Sequence, residues 1–496
     1  MMFGRRLMTL LACASLAASA TAQFASIESD KAKGDFFYKS FGTTVAVDGD
    51  VVVVGSPVEN LNKGTVYVYR DTGGVLTLEQ TLTDPTPVSN DLFGAAVAVS
   101  GDLIAVGSPG TGNGTFNDDG EAYVFRFDGA TWQVDLSLTG EPLGFGTDVD
   151  IDGDAMIVSY PDGDSGASNG GEISVFRYDA SEWKPEVLLR GTVVNGFMGE
   201  RLALEGDWVF GGTNKTALDV FHLDGGQWGK SETLAVDNES LDADGDLLVV
   251  GNTFSATIYR RSCGLMVEEA NLADPHQWPS VFGDAVAVHG DAVLVGAWAN
   301  TVDFGSQGAA YVFRHDGAAW PLEQMLVASD THDDQWFGWS VAIAGDRLVV
   351  GARGDDETWV NSGAAYLFNA APQTPRWQDL GSALAGDEAP ELAAVGTLVG
   401  GEALTLSLGC AQSGGSAALF AGFSALDAPF KGGTLVPNPD VLIAGLSVNP
   451  EGKLALAASW PPGVPSGVSL YLQMWTTDAG APVGLSATNA VLGTTP

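Results

Sequence analysis

Short apolar runs recur along most of the chain, each broken by the same small polar pair. TVAVDGDVVVVGSP runs from Thr44, AAVAVSGDLIAVGSP from Ala95 and AVAVHGDAVLVGAW from Ala285. Alternation of period two on both sides of a Gly-Asp pair predicts two strands joined by a tight hairpin. Further on, GTVYVYR from Gly64, GEAYVFR from Gly120 and GAAYVFR from Gly308 read as a third strand. Runs such as LTLEQTLTD, ending at Asp84, read as a fourth. A Phe-Gly pair opens most copies, at Phe41, Phe93, Phe145, Phe282 and Phe337. Phe197 opens a worn fourth copy, FMGERLALEGDWVFGGT. The fifth lacks the pair but keeps LDADGDLLVVGNT from Leu241. Trp132, Trp183, Trp228 and Trp320 recur just after the turn between strands three and four, where register points to packing.

Four antiparallel strands per copy cannot bury both faces alone, so the copies must stack on one another. The expected fold is all-β: a seven-bladed β-propeller of four-stranded antiparallel blades over residues 23–375. Residues 376–390 read as a linker. Residues 391–496, with short apolar runs separated by turns, read as a β-sandwich-like domain. Copy seven lacks a fourth strand because Pro372 and Pro375 interrupt it. FASIESD, at Phe24–Asp30, matches the endings TLTD at Asp84 and VASD at Asp330. It is therefore expected to supply the missing outer strand, with Arg376–Leu380 as the competitor.

The words FG…GSP and FG…GA make the chain resemble the FG-GAP repeat family of integrin α-subunit propellers, in a short-hairpin bacterial form. The resemblance spans about Phe24 to Ala370 and implies an extracellular propeller used for adhesion or ligand binding. Calcium blades of that family carry a D-x-D-x-D-G-x-x-D loop in the first hairpin. Here that hairpin is cut to Asp48-Gly49-Asp50 or Asp152-Gly153-Asp154, too short to surround an ion that takes six to eight oxygens. No cofactor is required on this reading. Any Ca²⁺ must use loops between strands two and three, where Asp162, Asp164 and Asn169 of DGDSGASNG are the best candidates.

Composition narrows the partners. With 62 acidic and 22 basic residues the formal net charge is −40. Nucleic acid and anionic membrane surfaces are excluded, since both demand clustered Lys and Arg. Arg5-Arg6, the apolar run Leu7–Ala18 and Ala20-Thr21-Ala22 read as a signal peptide over residues 1–22. Leu10-Leu11-Ala12-Cys13 leaves a lipoprotein-type signal as the alternative. The mature chain is expected to be secreted or displayed at the cell surface. Cys263 and Cys410 read as isolated small hydrophobes, with a disulfide in an exported chain as the alternative.

Catalytic signals are thin. Gly163-Asp164-Ser165-Gly166 imitates a serine-protease loop but sits between strands two and three of copy three, with no histidine in a matching context. Arg353-Gly354-Asp355 matches the integrin-ligand tripeptide, where copy seven leaves strand two. Trp278, Trp298, Trp336 and Trp359, with Asp333, Asp334 and Asp356, concentrate in the connections of copies six and seven. Aromatics beside acids suit sugar stacking with hydroxyl hydrogen bonds, or capture of a cation. Trp339, inside a strand, reads as packing. The expected function is a secreted, non-catalytic binding or adhesion propeller. It would take an extracellular glycan or protein on the face formed by strand two–three loops. The alternatives are a propeller-based glycan lyase or hydrolase, or a structural envelope protein.

Overall fold

The computed structural model describes residues 26–28, 40–110, 119–142, 144–275, 280–301, 306–330, 333–356, 362–369, 377–385, 389–481 and 483–495. The fold is all-β and contains seven four-stranded antiparallel sheets. Six are built from consecutive strands. The first comprises Thr44–Asp48, Val51–Ser56, Thr65–Asp71 and Leu76–Leu82. The seventh takes three strands from Phe337–Ala344, Arg347–Ala352 and Ala364–Asn369, and its fourth from Ser26–Glu28. Ser26 pairs with Phe368 and Glu28 with Tyr366, so the N-terminal segment fills the place expected for it. The competing segment goes elsewhere: Trp377–Asp379 pairs with Val491–Thr494 in the C-terminal region. The stretch read as a linker thus contributes a strand.

Each hairpin turn is led by a glycine in the left-handed region, from φ 55° at Gly49 to 61° at Gly245. The phenylalanines join consecutive sheets. Phe41 pairs with Gly363 of the seventh sheet, and Phe93 with Gly64 of the first. The rings of Phe41, Phe93, Phe282 and Phe337 pack edge-on against their own sheet's third strand, as Phe41 does on Tyr67 at 5.2 Å. The approach leaves no room for a side chain: a Cβ on Gly363 would lie 2.0 Å from the Phe41 carbonyl oxygen. In the worn fourth copy the anchor is Met198, not Phe197. Met198 pairs with Gly171 and is fully buried, while Phe197 takes the preceding left-handed position.

The first strands of consecutive sheets lie against one another in chain order, and Phe337–Ala344 lies against Thr44–Asp48. At that last junction Ser340 Oγ donates to the Gly42 carbonyl at 2.9 Å, and Arg347 Nε sits 2.8 Å from Asp71 Oδ2. On the outer strands, Trp132, Trp183, Trp228 and Trp320 donate from Nε1 to an acid of the preceding sheet. Those acids are Glu79, Asp135, Glu186 and Glu269, at 2.9–3.1 Å. These tryptophans are packing residues, as their register implied.

The C-terminal region places Glu391–Val395, Ala403–Gly409 and Leu454–Ser459 in one sheet, facing a larger one that includes Ser416–Gly422 and Ser469–Thr477. Leu404, Leu406, Leu419, Leu472 and Met474 share a single core between them. Cys263 and Cys410 form a disulfide, which corrects their reading as isolated hydrophobes. It ties a turn of the fifth sheet to the end of Ala403–Gly409. Two cysteines 147 residues apart can be matched only once the two bodies are seen docked.

Candidate functional site

Two positions of the repeat build the site. One is the residue directly after the opening pair: Thr43, Ala95 and Thr147 in the first three sheets, but Asp284 in the sixth and Trp339 in the seventh. The other ends the second strand. Pro57, Pro109 and Pro161 stand there in the first three sheets, Trp298 in the sixth and Arg353 in the seventh. Both positions open on the same end of the sheets, so the late substitutions converge. Trp298 lies 5.2 Å from Trp339 and 6.0 Å from Trp336, and Trp336 lies 6.0 Å from Trp339. All three indoles are half-buried.

Trp336 has φ 54°, a left-handed conformation costly for a bulky residue. The same conformation recurs just before the anchor at Ser40, Leu92, Phe197 and Val281, so it belongs to the architecture and not to this tryptophan. Trp336 is seated against Gly354, whose Cβ would come 2.9 Å from the indole. The Arg353 guanidinium lies 3.7 Å from the centre of Trp339 and 5.4 Å from that of Trp336, a cation–π contact. Its Nε is buried and has no acceptor, and burial pushes its pKa below the usual arginine value. Trp298 Nε1 donates to Asp284 Oδ2 at 2.8 Å. Burial raises the Asp284 pKa; the Trp298 bond and the nearby Arg201 and Lys215 work against that, and Glu239 adds to it.

The expected residues distribute unevenly. Trp298 and Trp336 do come together. Asp333 and Asp334 are exposed on the link before Trp336, and Asp356 is exposed after Arg353. Trp278 and Trp359 lie outside the described residues. Trp339 packs between the sixth and seventh sheets, against Trp298 at 5.2 Å, and is also part of the half-exposed cluster. Sequence reasoning also passed over Arg353 and Asp284. Their signal was departure from the chain's own repeat at a shared position. The tripeptide at Arg353 is not an accessible ligand motif. Asp355 is fully buried, accepting from Gln335 Nε2 at 2.9 Å and Tyr366 Oη at 3.1 Å.

The proposed calcium residues form a self-bonded turn. Asp164 Oδ1 accepts from the Asn169 backbone N–H at 2.6 Å, and Asn169 Nδ2 donates to Asn195 at 3.0 Å. Asp162 is exposed. Cys263, Glu391 and Cys410 also cluster, but both sulfurs are spent in the disulfide, leaving no thiolate for a metal.

A second group of acids lines the inner strands. Asp148, Asp150 and Asp152 of the third sheet accept from the backbone N–H groups of Leu202, Leu204 and Gly206 in the fourth, at 2.8–3.0 Å. Asp242 and Asp244 do the same to Val288 and Gly290 at 2.7 Å. Asp148, Asp150 and Asp242 are half-exposed yet heavily desolvated, as expected for groups facing a narrow space between first strands. Their work is to join neighbouring sheets that share no backbone ladder there.

A model of the FG-GAP repeat matches residues 27–69, 76–125 and 320–368. The chain carries FG-GAP repeats at these three places. No curated protein matches it in a sequence search. Among solved structures it is similar to the computationally designed Ika8 protein. The two are 14% identical with a TM-score of 0.39, and the match covers 67% of this chain and 97% of that one.

Proposed function

We propose that the seven sheets close into a seven-bladed propeller and that the exported chain is a non-catalytic binding protein. It takes an extracellular glycan on the face that carries Trp298, Trp336, Trp339 and Arg353. One observation carries this reading. Three indoles converge, half-exposed, where the first three sheets place Pro (for Trp298), Ser, Leu or Gly (for Trp336) and Thr or Ala (for Trp339). Trp132 and Trp183, which follow the repeat register, are packing residues, and these three do not follow it. Clustered aromatic surface with a few fixed polar groups is the usual make-up of a ligand site. The contact of the last first strand with the first supports the closed ring, and the Ser26–Glu28 pairing supplies its clasp.

A glycan array probed with the mature protein tests the function. The wild type is expected to capture a defined set of glycans. W336A/W339A is expected to lose at least about tenfold in affinity, the loss of roughly 1.4 kcal/mol or more that removing stacked rings entails. Its melting temperature should stay close to that of the wild type. Undiminished capture by the double variant would sink the assignment of the site.

A further inference from the structure

We propose that this patch reads an acidic sugar, with Arg353 binding its carboxylate; the inference rests on the glycan-binding reading above. Four repeat arginines are each held by two acids, whereas Arg261, like Arg353, rests on an indole, that of Trp208. Arg70 is held by Asp50 and Glu79, Arg126 by Asp102 and Asp135, Arg260 by Asp246 and Glu269, and Arg314 by Asp291 and Glu323. Arg353 has no such acid among the described residues, although the chain carries 62 acidic side chains. Its one close support is aromatic. A guanidinium resting on an indole spends no N–H in doing so, and its fork of donors matches a carboxylate in geometry. The Nε donor is buried, so a ligand carboxylate would be met by the two terminal amino groups of the guanidinium.

The same contact bears on what the ligand cannot be. Arg353 covers one face of Trp339 and lies over Trp336, and its charge would repel a cation there. Asp284 stands beside Trp298 with Glu239 near enough to act on it, and the whole chain carries −40. That field opposes a polyanion. One carboxylate on one sugar suits a single unpaired arginine. The indoles provide stacking surface for a pyranose ring, and Asp284 is an acceptor beside it.

The test is calorimetric titration of the full mature chain with two oligosaccharides that differ in one terminal residue, glucuronate in one and glucose in the other. The wild type should bind the acid form about tenfold or more tightly, the scale of one charge-assisted fork. In R353M that ratio should fall towards one. R353K, which keeps the charge but loses the fork, should fall between. A ratio near one in the wild type, or one that survives in R353M, overturns the inference while the glycan-binding reading stands. Binding of an aspartate-containing peptide, with neither sugar bound, overturns it in favour of a protein ligand. Failure of the wild type on every array glycan removes the glycan-binding reading itself.

Discussion

A chain shortened to begin at Ser40 is expected to be less stable by about 3 kcal/mol or more and to self-associate. Ser26–Glu28 supplies the only partner that the outer side of Ala364–Asn369 has among the described strands. Tyr366, Leu367 and Phe368 on that strand are buried. Deleting their partner leaves backbone donors and acceptors unpaired next to a packed core, at about 1–3 kcal/mol for each group that water cannot reach. It also exposes an edge on which a second chain can pair. The loss is long-range as well. The seventh sheet holds Phe41 of the first through Gly363, so loosening it frees both ends of the repeat array. Thermal melts and light scattering of the shortened chain check this. A variant that stays monomeric with an unchanged melting temperature would mean the N-terminal strand is no clasp.

The melting temperature should rise as pH is lowered from about 8 to about 5. Burial is the main cause that pushes Asp148 up to about 6, Asp242 and Glu205 up to about 7, and Asp150 well above the usual carboxylate range. Mutual repulsion adds to it: Asp242 and Asp148 act on Asp150, and Asp152 and Asp244 act on Glu205. Arg201 opposes the rise at Asp148, and backbone N–H groups oppose it at each aspartate. A carboxyl whose folded pKa is raised binds its proton more tightly in the native state. Its stabilising contribution is therefore complete below the unfolded pKa and is lost as pH climbs through about 6 to 7. His289, raised chiefly by its hydrogen bond to Asp244, acts in the same direction. Asp244 is held below its ordinary value by His289 and the Gly290 N–H despite burial, and its opposing effect falls at more acidic pH. D150N keeps an oxygen for the Leu204 N–H but removes the charge. It should raise the melting temperature at about pH 8 and flatten the profile. A melting temperature that falls steadily on acidification from neutral pH would contradict this account of the inner acids.

Much of this was legible in the chain because the repeat does the explaining. Gly-Asp hairpins, alternating strands and in-register tryptophans each recur, so one correct reading is copied along the sequence. The match of FASIESD to TLTD even placed the N-terminal strand. What stayed hidden was whatever depends on two distant positions meeting. Met198 anchors its sheet because it has slipped one place into the pocket that phenylalanine fills elsewhere, and a local reading favours the visible Phe197. Cys263 and Cys410 meet only through docking of the C-terminal sheets. Trp339 packs as its place in a strand implies, yet that strand begins at the open end of the sheet, so it joins the cluster as well. Arg353 looked like part of a chance tripeptide until its neighbours proved to be indoles.

Hydrogen–deuterium exchange of the mature protein, with and without the glycan it captures best, most directly tests which face binds. The account predicts slowed exchange in the segments around Trp298, Trp336 to Trp339 and Arg353, with the hairpins at Gly49, Gly101 and Gly153 unchanged. Protection centred on those hairpins, or on the C-terminal sheets, would contradict it.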